Sequence, residues 1–205
     1  MDDVKNSNVI GHVLRGSTKG FVCGTIMQKL DAPAFGAFVE APCGNGGRPI
    51  KVIGLIYAIE INDDPLVRQL VLADRVTQQT REDQRVNRIV PVEISIINIG
   101  YAAGKDEVRH TLPPRPPLSL EEVRLCDDGM IKTFCEERFD FFRLALGVAE
   151  VPADELLAAS LMLAAEKMGK PDKRRDFLVR AGRELAKLLS QDLVRLENIL
   201  KLIRP

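Results

Sequence analysis

The side chains best suited to chemistry in this sequence are two histidines, His12 and His110, and two adjacent carboxylate pairs, Asp63-Asp64 and Asp127-Asp128. Carboxylates that converge on one cleft can raise each other's pKa or hold a hard cation. Both pairs, however, stand where a helix is expected to begin. There a carboxylate caps backbone N–H groups and meets the positive end of the helix dipole, so capping is the simpler reading of each. Two histidines give a zinc site or an imidazole-activated nucleophile little to draw on. His12 falls within a predicted strand and is read as a wall or satisfied core residue. His110 precedes a proline run and is read as an exposed or linker-capping residue. Cys23, Cys43, Cys126 and Cys135 form no CxxC pair and are read as buried free thiols.

Two glycine-rich stretches invite comparison with phosphate-binding loops. Gly16-Ser-Thr-Lys-Gly lacks the Gly-Lys pair followed by a hydroxyl, and Gly44-Asn-Gly-Gly-Arg continues into Pro49 where Lys-Ser would be needed. Neither is expected to hold a nucleotide, and no catalytic, metal-binding or cofactor-binding residue is assigned. The one basic concentration is Lys170, Lys173, Arg174, Arg175, Arg180, Arg183 and Lys187, interleaved with Asp172, Asp176 and Glu184. Such a run can track phosphates or meet a protein partner, while a solvated helix face laced with ion pairs is the plainer alternative. Pro113-Pro-Arg-Pro-Pro has the preformed extended shape of a proline-motif ligand, but is read here as a rigid strap.

The elements that must position these groups differ between the two parts of the chain. From Val9 to about Tyr101, short β-branched and aromatic runs alternate with Gly and Pro, the pattern of strands and turns. Strands are predicted at Val9–Leu14, Gly20–Met27 and Phe35–Glu40. The glycine-rich tip from Ala41 to Pro49 joins the last of these to a long antiparallel strand, Ile50–Ile61, in which Gly54 marks a bulge or bend. Asn62-Asp-Asp-Pro ends that strand, and a helical insertion over about 64–86 is expected, with Leu66, Leu70 and Ala73 on one face. Strand character resumes at Arg88–Tyr101, with Val92, Ile94, Ile96 and Asn98 on one side and Glu93, Ser95, Ile97 and Ile99 on the other.

The prolines between His110 and Leu118 remove backbone donors and exclude a central strand, so they mark the natural boundary. A short strand at Glu122–Cys126 is followed by helices. Asp127-Asp-Gly is expected to cap the first, running through Ile131, Phe134, Phe139, Phe142 and Leu146 to Gly147. Pro152–Met168 forms a second. Asp172 is expected to cap a third, carrying Phe177, Leu178, Ala181, Leu185, Leu188 and Leu189. Leu193, Leu196, Leu200 and Ile203 continue the apolar stripe, which is expected to pack against the neighbouring helices and the barrel rather than form an external coiled-coil seam. The fold class is therefore α+β: a small N-terminal antiparallel β-barrel with a helical insertion over 1–126, then an α-helical bundle over 127–205.

Composition sets the remaining bounds. In 205 residues, 29 Lys and Arg balance 29 Asp and Glu, so the whole-chain field steers the protein toward neither nucleic acid nor an anionic membrane. The start, Met1-Asp-Asp-Val-Lys-Asn-Ser-Asn, lacks the basic and apolar regions of a secretory signal, and no apolar run reaches membrane-spanning length. A cytoplasmic location without membrane contact is expected.

Taken in order, Ile10-Gly-His-Val, Phe35-Gly-Ala-Phe-Val-Glu, Val52-Ile-Gly-Leu-Ile-Tyr-Ala-Ile and the exit Leu112-Pro-Pro-Arg-Pro-Pro-Leu resemble the HAS-barrel family, the small barrel of HerA-type DNA translocases and rotary ATP synthase subunits. The likeness covers about residues 8–126, and the helical remainder looks like that of small standalone bacterial HAS-barrel proteins. The insertion at 64–86 departs from the minimal barrel, and the phosphate-binding loop that follows a translocase barrel has no counterpart here. The resemblance thus implies a non-enzymatic assembly or adaptor module, associating with itself or with a HerA-type ATPase or its nuclease. The alternative is a nucleic-acid-binding accessory protein using the basic helix at 170–187.

Overall fold

The computed structural model describes residues 8–26, 32–44, 50–61, 77–78, 91–104, 107–136 and 138–204. Seven strands are present among them: β1 (Val9–Gly16), β2 (Gly20–Ile26), β3 (Phe38–Cys43), β4 (Ile50–Ile61), β5 (Pro91–Ala103), β6 (Val108–Arg109) and β7 (Glu122–Leu125). They hydrogen-bond in the order β2-β1-β7-β3-β4-β5-β6, and β2 also pairs with β5 from Gly20↔Ile97 to Ile26↔Pro91. That last pairing closes six antiparallel strands into a barrel and leaves the two-residue β6 as a flap on β5. Closure removes the open edges on which another strand could add.

The barrel interior is filled by Ile10, Val13, Phe21, Cys23, Val39, Val52, Ile56, Val92, Ile94 and Ile96. The predicted alternation along β5 is therefore correct for Val92, Ile94 and Ile96. Asn98 continues that face and is fully buried. Its Nδ2 donates to the carbonyls of Ser17 and Thr18, fastening β5 to the β1–β2 turn. Strand β4 has the predicted bounds, and its register with β5 shifts between Ile53 and Gly54. A Cβ at Gly54 would stand 2.4 Å from Ile96 Cγ2 and 2.8 Å from the Ile97 carbonyl oxygen, so the bend depends on a residue with no side chain.

β3 starts later than predicted, at Phe38. Phe35 and Gly36 form a turn, with Gly36 at φ +82°, and a Cβ there would lie 2.8 Å from both Ala159 Cβ and the Ser160 amide nitrogen. The left-handed conformation and the close approach of a helix both require glycine. The expected helical insertion at 64–86, together with Asp63 and Asp64, lies outside the described residues except for Thr77 and Gln78.

Five helices follow the strands among the described residues: α1 (Asp128–Cys135), α2 (Phe142–Ala145), α3 (Ala153–Lys167), α4 (Pro171–Leu188) and α5 (Leu193–Leu202). α3 touches each of the other four. The expected single helix from Asp127 to Gly147 is broken. α1 ends at Cys135, and the chain turns so that Phe141 joins Phe134 and Phe38, while Phe139 packs on Phe142 and Phe177 at 5.1 and 5.7 Å. Phe141 and Phe142, with ring centroids 5.0 Å apart, join these contacts into one aromatic cluster. Arg180 donates to the Glu136 carbonyl, satisfying a backbone acceptor released where α1 stops.

The third predicted helix also begins differently. Pro171, whose fixed φ suits the first helical position, starts α4 after Lys170, and Asp172 sits in the first turn without capping it. Asp192 then caps α5 by accepting from the Arg195 amide.

The apolar stripe of the last two helices is only partly covered. Ile199 and Ile203 are buried, whereas Leu188, Leu193 and Leu200 are exposed. α5 is apolar on more than one side; Ile199 and Ile203 are buried in the core, and Leu196 packs against it.

The helices and the outer barrel wall share one core. Phe38, Ile53, Leu55 and Ile99 point out of the barrel into a cluster containing Phe134, Phe141, Leu156, Leu161 and Phe177. β4 is thus buried on both faces, which explains why Val52-Ile-Gly-Leu-Ile is an unbroken apolar run.

Candidate interaction surface

The carboxylates of Asp127 and Asp128 serve the structure. Asp127 Oδ1 accepts from the Met130 amide at 2.7 Å, as an N-cap does, and Asp128 forms an ion pair with Lys167 at 3.1 Å, joining α1 to the end of α3. Among the described residues, His, Cys, Asp and Glu gather in no group of three or more that could hold a metal ion. His12 is exposed on the barrel wall, in keeping with one of its two expected places.

The expectation for His110 needs correction. It is buried, not exposed, with its ring 4.3 Å from Phe134 and 5.6 Å from Phe141. Its Nε2 lies 2.9 Å from the Phe134 carbonyl oxygen, and Nδ1 is buried without a partner. Burial holds its pKa below the usual value, outweighing the hydrogen bond to Phe134 and the charge of Asp140. A neutral His110 with the proton on Nε2 satisfies that carbonyl and joins the strand exit to α1.

All four cysteines are buried and free, as expected. Burial pushes the Cys43, Cys126 and Cys135 thiols up, away from the reactive thiolate.

The basic residues predicted from sequence do not form one surface. Lys173, Arg180, Arg183 and Lys187 recur at spacings of seven, three and four and so share one side of α4. Asp176 and Glu184 interrupt that side, and Arg174 and Arg175 point elsewhere around the helix. Lys170 precedes the helix. Arg180, Arg183 and Lys187 face the segment between α1 and α2, and the two elements enclose an open groove made of overlapping hollows of about 460 and 670 Å³.

Arg138 and Arg143, from the facing segment, complete the cationic lining, and Asp140 and Glu184 are its only carboxylates among the described residues. Phe139, Phe142 and Leu188 supply the apolar part. Arg138 pairs with Asp140, and Lys187 with Glu184 at 2.6 Å. Arg143 is exposed and reaches the His110 carbonyl at 3.4 Å. Arg183 is exposed and has no hydrogen bond or ion pair among the described residues. Sequence spacing could not reveal the contribution of Arg138 and Arg143, because it depends on the break between α1 and α2.

Exposed apolar side chains concentrate on the same helices. Of twelve large ones among the described residues, six lie on α4 and α5: Val179, Leu188, Leu193, Val194, Leu200 and Leu202. No helix among the described residues is long and apolar enough to cross a membrane. No family model matches the chain, and no curated protein matches its sequence.

Proposed function

We propose that this protein is a non-enzymatic assembly or adaptor module of the HAS-barrel type, working in the cytoplasm with copies of itself or with a HerA-type DNA translocase or its nuclease. The observation that carries this reading is the joint display of unpaired cation and exposed apolar surface on α4 and α5, next to a barrel closed against strand addition. Exposed apolar surface rimmed by charge is typical of protein contact sites. In this reading the C-terminal helices act as a bundle that extends the barrel's contact, and the barrel supplies a rigid base.

Support for the barrel type comes from the ordered segments Ile10-Gly-His-Val, Val52-Ile-Gly-Leu-Ile and Leu112-Pro-Pro-Arg-Pro-Pro-Leu, two of which lie in β1 and β4 and the third in the stretch leading to β7. Affinity purification of the full chain from its native cell under mild salt, followed by mass spectrometry, tests the proposal. Recovery of additional copies or of a translocase or nuclease component is expected. Recovery of neither would overturn it.

The cations of α4 also support a second reading, as a nucleic-acid accessory. That reading requires DNA binding that weakens steeply with salt and is lost when Arg174 and Arg175 are reversed in charge.

A further inference from the structure

Building on the adaptor reading, we propose that the groove between α4 and residues 138–143 is the docking site for an acidic, apolar-anchored segment of a protein partner. Among the described residues five cations, Arg138, Arg143, Arg180, Arg183 and Lys187, line it with two carboxylates, Asp140 and Glu184. Arg143 and Arg183 are exposed, and beyond the one N–H that Arg143 gives to the His110 carbonyl their guanidinium groups retain donors for an incoming acid. A carboxylate can take two parallel bonds from such a fork. Leu188 is 49% exposed and lines the same groove beside Phe139, so an aliphatic or aromatic side chain of the partner has an apolar wall to cover.

Three features favour a peptide over a nucleic-acid backbone. Asp140 and Glu184 interrupt the positive lining, and duplex DNA, with one charge per roughly 1.7 Å of axis, cannot skip them, whereas a peptide places its carboxylates selectively. Of the remaining α4 cations, Lys173 continues the groove's side of the helix while Arg174 and Arg175 lie elsewhere around it, so the positive track is short. Phe139 is already packed by Phe142 and Phe177, which suits it to be a wall and not a stacking platform for bases. The hollows, at about 460 and 670 Å³, are sized to take a few anchoring side chains.

The test is fluorescence anisotropy with the full chain and three labelled probes at near-physiological salt: a peptide alternating Glu with Leu, its Lys–Leu counterpart, and a single-stranded oligonucleotide. The Glu–Leu peptide is expected to bind saturably and the Lys–Leu peptide not to bind. Arg183→Glu with Lys187→Glu should weaken binding on the order of tenfold or more. Leu188→Ala should weaken it by a smaller factor, and Arg175→Glu, outside the groove, should leave it unchanged. Circular dichroism melts establish that each variant is folded.

Absence of saturable Glu–Leu binding would overturn the proposal. So would equal affinity of the double variant, or tighter oligonucleotide binding with the same residue dependence. A partner purified equally well by the double variant would leave the adaptor reading standing and remove the groove as its site.

Discussion

At the scale of single residues, His110 connects packing to pH. Its ring lies against Phe134 and Phe141 and its Nε2 serves a backbone carbonyl, so burial favours the neutral form. The folded pKa lies below the ordinary 6.5, hence the unfolded chain binds the proton more readily. The stability due to neutral His110 is complete above that value and is lost as pH falls toward the depressed folded pKa. Denaturant melts between neutral and mildly acidic pH should show this decline, and His110→Gln should flatten it; an unchanged slope in the variant would contradict the assignment.

Gly54 makes a second prediction. Gly54→Ala forces a Cβ into Ile96 and the Ile97 carbonyl and should cost about 1–3 kcal/mol in thermal or chemical unfolding. Gly54 was legible in sequence as an interruption of an apolar strand. The burial of His110 was not, because its partners come from α1 and the turn after it, and its immediate neighbours, Arg109 and Thr111, are polar.

At the scale of elements, local rules were sound wherever local forces decide. Strand β4 and the helix cap at Asp127-Asp-Gly both follow from residue types acting on their own backbone. Asp127→Ala should therefore cost about 1 kcal/mol, measurable by equilibrium unfolding, since Met130 N–H loses its acceptor. The long helix expected from Asp127 to Gly147 failed for a tertiary reason. Its phenylalanines pack on distant elements, Phe141 on Phe38 of β3 and Phe139 on Phe177 of α4, and the chain turns after Cys135 to bring both contacts into one core. The groove was partly legible in the same way: α4 announced its cations, while Arg138 and Arg143 join them only because the chain turns after Cys135.

At the scale of the whole molecule, the barrel has two apolar environments, one inside its wall and one between that wall and the helices. Phe134 sits at the centre of the second, touching Phe38, His110 and Phe141. Phe134→Ala should cost about 3–5 kcal/mol and loosen the helices before the barrel, seen as early loss of helical signal and amide protection in hydrogen exchange. The helices so anchored hold α4 and α5 outward with their cations and exposed leucines.

That display is the basis of the adaptor reading, and purification of the tagged full chain beside the Arg183→Glu, Lys187→Glu variant tests it most directly. The wild type is predicted to bring down further copies of itself or a translocase or nuclease component, and the variant to lose that companion while remaining folded. Recovery of the wild-type chain with neither, under mild salt, would contradict the account.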